Sequence, residues 1–163
     1  MTSRPATIDD AEHIARIYNE GIEDRAATFE TRLRTAADIQ NWFDGIHPIV
    51  VIEDAGKPVA FAATSQYRPR ECYAGIAEVS VYVARNARRH GAGRLALSAL
   101  IEAARSAGYW KLLSRVFPEN KASLGMIATL GFREVGIYKN HGQLDGTWKD
   151  VVIVERLIPE NVR

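Results

Sequence analysis

One stretch limits the available folds more than any other: IAEVSVYVA (76–84), RNARRHGAGR (85–94) and LALSALIEAAR (95–105) in succession. The first segment alternates. It predicts a strand with Ile76, Glu78, Ser80 and Tyr82 on one face and Ala77, Val79, Val81 and Val83 on the other. In the third, Leu97, Leu100, Ile101 and Ala104 recur at the i, i+3, i+4, i+7 spacing of a helix that covers a core, and Gly108 ends it. Between them lies a basic loop broken by Gly91 and Gly93. A strand, a glycine loop and a helix in this order suit anion binding. The first turn of a helix presents unpaired N–H groups and a partial positive charge, and glycine lets an anion come close to the backbone. A solvated turn accounts for the same residues, and the loop alone does not separate the two.

The two common nucleotide fingerprints do not fit. R-x-x-G-x-G lacks the third glycine of G-x-G-x-x-G, and no Gly-Lys-Ser/Thr follows it. The arginines of the loop are a local feature. The net charge over 163 residues is +1, which gives no case for a nucleic-acid or membrane surface. The single cysteine, Cys72, excludes an internal disulfide and suits a reducing cytoplasm. The N-terminal MTSRPATIDDAEHIARIY carries no apolar signal-peptide core, and no apolar run approaches the ~20 residues of a membrane span. His13, His47, His90, His141 and Cys72 show no metal-ligand spacing, so no metal is expected.

The remaining segments give the order β-α-α-β-β-β-α-β-α-β-β. A short strand at 2–7 precedes a helix with Asp9 or Asp10 as its cap. Thr35 to Asp38 reads as a capping box opening a helix through Ile39, Trp42 and Phe43. Strands are expected at 49–52 and 59–67 around the turn chemistry of 54–58, and at 111–117. A short helix after Pro118 ends at Leu130-Gly131-Phe132. Two late strands, 133–139 and 148–157, are joined by a polar loop containing Gly142 and Gly146. The expectation is one α/β domain over residues 1–163, a mixed sheet with helices on both faces.

The run EVSVYVARNARRHGAGRLALSAL followed by PENKASLGMIATLGFREVGIY resembles the Gcn5-related N-acetyltransferase superfamily. Its [Q/R]-x-x-G-x-[G/A] signature is met by Arg88, Gly91 and Gly93. The resemblance implies a mostly antiparallel sheet and acetyl-CoA as co-substrate. It implies that main-chain groups of Arg88, Arg89, His90, Gly91, Ala92, Gly93 and Arg94 hold the pyrophosphate. Val81, Tyr82 and Val83 would align the pantetheine and thioester like an added strand, and Asn120 and Ser123 would contact the cofactor from the next helix. AEHIARIYNEGIEDRAATFE, SQYRPRECYAGIAEVSVYV and GQLDGTWKDVVIVERL are similar to the branch that acetylates phosphinothricin, methionine sulfoximine and arsinothricin, most nearly to the arsinothricin type. That implies resistance to a glutamate-analogue antimetabolite, a small amino-acid-like acceptor and a homodimer.

Acetylating an amine requires a base for the ammonium proton. Glu78, mid-strand beside the proposed cofactor strand, is the candidate, and the branch places its glutamate there. A solvent-facing glutamate on a polar strand face is the plainer alternative. Arginine suits an acidic acceptor, because its planar fork meets a carboxylate or phosphinate. Arg68 stands where the branch has a substrate-binding arginine, with Arg70 a weaker second choice. Phe29 could wall the pocket and Glu30 meet the ammonium, while Tyr73 suits either a pocket wall or packing. Ile127 occupies the position where superfamily members carry a tyrosine as acid for the thiolate, so the acid is unassigned and water is an alternative. Other acceptors stay open, namely a polyamine, an aminoglycoside or a protein N-terminus. So does a non-catalytic module that senses acyl-CoA.

Overall fold

The computed structural model describes residues 1–163. Seven strands form one sheet in the order β1-β2-β3-β4-β5-β7-β6. They are β1 (Thr2–Pro5), β2 (Ile49–Asp54), β3 (Lys57–Gln66), β4 (Ile76–Val83), β5 (Lys111–Val116), β6 (Arg133–Leu144) and β7 (Thr147–Leu157). The helices are α1 (Ala11–Glu23), α2 (Ala36–Gln40), α3 (Ala92–Ser106) and α4 (Lys121–Thr129). The expected order of elements holds throughout. Every strand pairing is antiparallel except β4–β5.

Alternation in β4 sends its two faces to two cores. Ala77 and Val79 pack with Leu97, Leu100, Ile101 and Ala104 of α3. On the opposite face Phe61, Val51 and Ala63 meet Ile14 and Ile17 of α1 and Ile39 of α2, with Tyr82 at the margin. Burial of a leucine such as Leu100 is worth about 1.5–3 kcal/mol, so α3 is held by this stripe rather than by its own propensity. Gly21 of α1 is required by packing: a Cβ there would lie 2.6 Å from the Tyr82 ring. Burial also pushes the Tyr82 hydroxyl well above the ordinary tyrosine range.

Three expectations need correction. Asp10 stands at the N-cap of α1, but its side chain makes no hydrogen bond to that helix. Its carboxylate takes Arg4 at 2.8 Å through both oxygens and the Thr7 amide, and the hydrogen bonds from Arg4, foremost, hold it below its ordinary pKa despite burial. The Thr35–Asp38 capping box is present, but α2 stops at Gln40, so Trp42 and Phe43 lie beyond the helix. The late polar loop is strand: β6 and β7 continue to a two-residue turn at Asp145-Gly146, with φ of +49° and +78°. A register shift between Tyr138 and Gly142 lets β6 bend there.

β4 and β5 pair only from Ile76–Lys111 to Glu78–Leu113. Beyond that, β4 follows β3 as far as Val83–Ala60, and β5 follows β7 as far as Val116–Val152. Each strand keeps its outer partner, so the inner edges separate into a wedge in the middle of the sheet. Across it the Ser114 hydroxyl donates to the Val79 carbonyl at 3.0 Å.

Candidate active site

The wedge is where sequence and fold converge. Val81, Tyr82 and Val83 lie on the β4 edge that β5 has left, so their inward backbone groups have no strand partner. A small cavity of about 80 Å³ follows this edge and is lined by Val81, Tyr82, Asn120, Ser123, Ile127 and other residues of both strands. Asn120 caps α4 by accepting from the Ser123 amide at 3.2 Å, which leaves its side-chain NH₂ unused.

At the end of β4 the basic loop turns into α3. Arg89 and Gly91 adopt φ of +67° and +85°, and Gly91 is the N-cap. The first hydrogen bond of α3 runs from the Leu95 amide to the Gly91 carbonyl at 3.0 Å, so the amides of Ala92, Gly93 and Arg94 precede the helical ladder. A Cβ on Gly91 would meet no protein atom within 4 Å, whereas one on Gly93 would come within 3.3 Å of Val83 and 3.4 Å of Met126. Gly91 therefore leaves the approach to the amides open, and Gly93 lets α3 sit close against β4. These are the features a pyrophosphate needs, and the residues present fit acetyl-CoA. The arginine side chains do something else. Arg88 contacts Asp24 at 2.6 Å and donates to the Val83 carbonyl at 3.2 Å, and Arg94 donates to Thr129 at 2.5 Å. His90 is exposed.

On the other side of the sheet the wedge opens into a cavity of about 850 Å³ lined by residues of the α1–α2 segment, β3, β4, β5 and β6. Glu78 stands on its wall. Arg115 of β5 donates to the Glu78 carboxylate at 2.9 Å, with the side chains 41% and 27% exposed respectively. Phe29 and Glu30 line the same cavity. Phe29 packs edge-on against Phe117, ring centroids 5.0 Å apart, and touches Gly142, where a Cβ would come within 3.0 Å of its ring. The Glu30 carboxylate accepts from Arg34 at 2.6 Å and is thus already paired, which weakens its suitability for an ammonium.

Arg68, Arg70 and Tyr73 are not among the lining residues. They follow Gln66, the last lining residue of β3, in a segment where Arg68 lies 4.8 Å over the Tyr67 ring and Arg70 5.8 Å over the Tyr73 ring.

Sequence reasoning missed Arg115, Asp44 and His47. Arg115 is the only arginine or lysine on the cavity wall. Its signal was a charge inside an otherwise uncharged strand end, Leu112 to Val116, but its neighbour Glu78 becomes visible only once β5 is known to pair with β4. The His47 ring contacts Asp44 at 2.5 Å, and both line the cavity. Burial works to raise the Asp44 pKa, yet the His47 and Ile46 amides and the His47 ring outweigh it and hold the carboxylate at about 2. No group of three or more His, Cys, Asp or Glu is placed to hold a metal ion, and no helix is long and apolar enough to cross a membrane.

Residues 14–132 match the model of the Acetyltransferase (GNAT) family. The chain is 34% identical over 157 residues to an L-methionine sulfoximine/L-methionine sulfone acetyltransferase of Pseudomonas paraeruginosa, covering 93% of this chain and 91% of the relative. It is 34% identical over 162 residues to a phosphinothricin N-acetyltransferase of Alcaligenes faecalis, covering 95% and 81%. In structure it is similar to a GNAT superfamily phosphinothricin acetyltransferase of Sinorhizobium meliloti in complex with AcCoA. There the TM-score is 0.91 and the identity 28%, over 99% of this chain and 90% of that one.

Proposed function

Because the chain belongs to the GNAT acetyltransferase family and is an acetyl-CoA-dependent N-acetyltransferase, we propose that it acetylates the α-amine of a small glutamate-analogue amino acid. Phosphinothricin, methionine sulfoximine and arsinothricin are the acceptors of choice, and acetylation would confer resistance to them. The observation that carries the proposal is the junction of two cavities at the wedge. A narrow one follows the β4 edge beside the α3 amides, and a wide one holds Glu78 and Arg115.

Acetyl-CoA, when bound, supplies the acetyl group as an activated thioester. The chain's own groups supply the rest. We assign the amides of Gly91 to Arg94 to the pyrophosphate, with Arg88 and Arg89 shaping the loop that presents them. We assign the β4 edge at Val81 to Val83 to the pantetheine, and Asn120 and Ser123 to the cofactor wall. Glu78 is the general base. Forming the amide breaks the thioester C–S bond, and the ammonium gives up two protons. One goes to Glu78, and the other, through water, to the departing thiolate. Water serves because Ile127, 5% exposed and apolar, cannot donate. Phe29 walls the acceptor side. Glu30, tied to Arg34, shapes that wall. Arg68, Arg70 and Tyr73 belong to the approach beyond Gln66 rather than to the floor.

The same reading makes the protein a cytoplasmic homodimer. The exposed Cys72 thiol stays reduced there. Edge strand β6 exposes Val135, Ile137 and Tyr138 at roughly half of their surface, as a chain awaiting a partner would. Light scattering should give twice the mass of one chain.

Glu78→Gln tests the assignment of the base. It keeps the size of the side chain and removes its proton affinity. Turnover should fall about 10²- to 10⁴-fold, the usual contribution of a positioned base, while calorimetry shows acetyl-CoA binding intact. A variant as active as the wild type would remove Glu78 from the mechanism.

A further inference from the structure

In the cavity wall a carboxylate and a guanidinium touch: Arg115 donates to Glu78 at 2.9 Å. The two come from different strands, just where β4 and β5 separate. Glu78 is the last β4 residue paired with β5, and Arg115 lies two residues past its partner Leu113, on the same strand face. The other cavity charges are accounted for: Glu30 by Arg34, and Asp44 by His47. Arg115 is the one permanent cation on the wall, and its only side-chain partner is Glu78.

An α-amino acid carries its ammonium and carboxylate on one carbon, so nitrogen and nearest oxygen are about 3 Å apart by covalent geometry alone. The touching Glu78–Arg115 pair has the same spacing with the charges reversed. Resting on the proposed function, we infer that this pair is a receptor for the α-ammonium and α-carboxylate of the acceptor, with Arg115 a specificity-determining residue that selects α-amino acids over simple amines.

The exchange balances without any further reactant. Two ion pairs, one within the protein and one within the zwitterion, become two across the interface. Arg115 moves its N–H donors from Glu78 to the α-carboxylate. Glu78, released from the guanidinium, accepts one proton from the ammonium and leaves the amine neutral. An acceptor without the α-carboxylate leaves Arg115 on Glu78, so the base stays engaged. The arrangement thus ties the availability of the base to the presence of the correct acceptor.

The test compares an α-amino acid with its decarboxylated amine. L-methionine sulfone and 3-(methylsulfonyl)propylamine form one pair. Phosphinothricin and its decarboxylated aminopropyl phosphinate form another. For wild type, Arg115→Gln and Arg115→Lys, kcat and KM are measured by thiol release at saturating acetyl-CoA, and acetyl-CoA binding by calorimetry. In Arg115→Gln the preference for the amino acid over the amine should fall about 10- to 100-fold, the range of a lost charged hydrogen-bond pair. The loss should be carried by KM of the amino acid. Arg115→Lys, which keeps the charge and loses the fork, should recover part of it. An equal loss for both acceptors in Arg115→Gln, or an unchanged ratio, overturns the inference and leaves the proposed function standing. Wild-type protein that acetylates neither amino acid overturns both. If Arg115→Gln does not fold, a ratio in Arg115→Lys equal to wild type overturns the inference on its own.

Discussion

Arg88 and Gly91 sit in one loop and have different duties. The sequence reading assigns the anion to the main chain of this loop, and the guanidinium groups of Arg88 and Arg94 are spent elsewhere, on Asp24, Val83 and Thr129. The anion-facing property belongs to the backbone, where Gly91 at φ +85° opens α3 without a side chain. Gly91→Val would place a β-branched residue in the left-handed region and a side chain over the amides. Strain of about 1–3 kcal/mol adds to the exclusion. Calorimetry should therefore show acetyl-CoA affinity reduced by tenfold or more, with net charge unchanged. An unaltered Kd would remove the loop from cofactor binding. The glycines and Glu78 were legible as single residues because spacing and alternation place them locally. Arg115 was not, because its meaning depends on a partner 37 positions away.

At the level of elements, the wedge rests on a competition that sequence periodicity does not encode. β4 and β5 each read as a strand, but nothing in either segment says that their pairing ends after Glu78 and Leu113. The β6–β7 hairpin misled for a similar reason. Gly142 and Gly146 read as loop residues, whereas only Gly146 turns the chain, and Gly142 sits in a bent strand against Phe29. Two contacts tie this hairpin to the α1–α2 segment: the Phe29 ring on Gly142, and Arg25 on Asp145 at 2.8 Å. Gly142→Ala should push the Phe29 ring off its seat on Phe117 and misplace the acceptor wall. We expect KM for the amino acid to rise severalfold, with KM for acetyl-CoA held within twofold, because Gly142 lies on the acceptor side of the sheet. Equal changes in both constants would mean that the hairpin supports the fold and not the pocket.

For the whole molecule, one sheet is covered on both faces and split at its centre. The order of elements predicted the layers. The alternation of β4 sorted its residues into two faces: Ala77 and Val79 pack into the core under α3, while Glu78, Ser80 and Tyr82 line the wide cavity. What the order of elements leaves out is the depth of the acceptor cavity, which depends on the α1–α2 segment folding over β3 and β4 to meet the β6–β7 hairpin. Closure from several separate segments leaves a cavity suited to a compact acceptor, and a formal net charge of +1 gives no overall negative field to draw in a polycation. The most direct measurement is thiol release from acetyl-CoA by the wild-type protein, with mass spectrometry of the product. The panel is phosphinothricin, methionine sulfoximine, arsinothricin, a polyamine, an aminoglycoside and an N-terminal peptide. The account predicts α-N-acetylation of one or more of the three amino acids, with kcat/KM at least tenfold above every other amine. Turnover confined to the polyamine, the aminoglycoside or the peptide, or absent on all six, would contradict it.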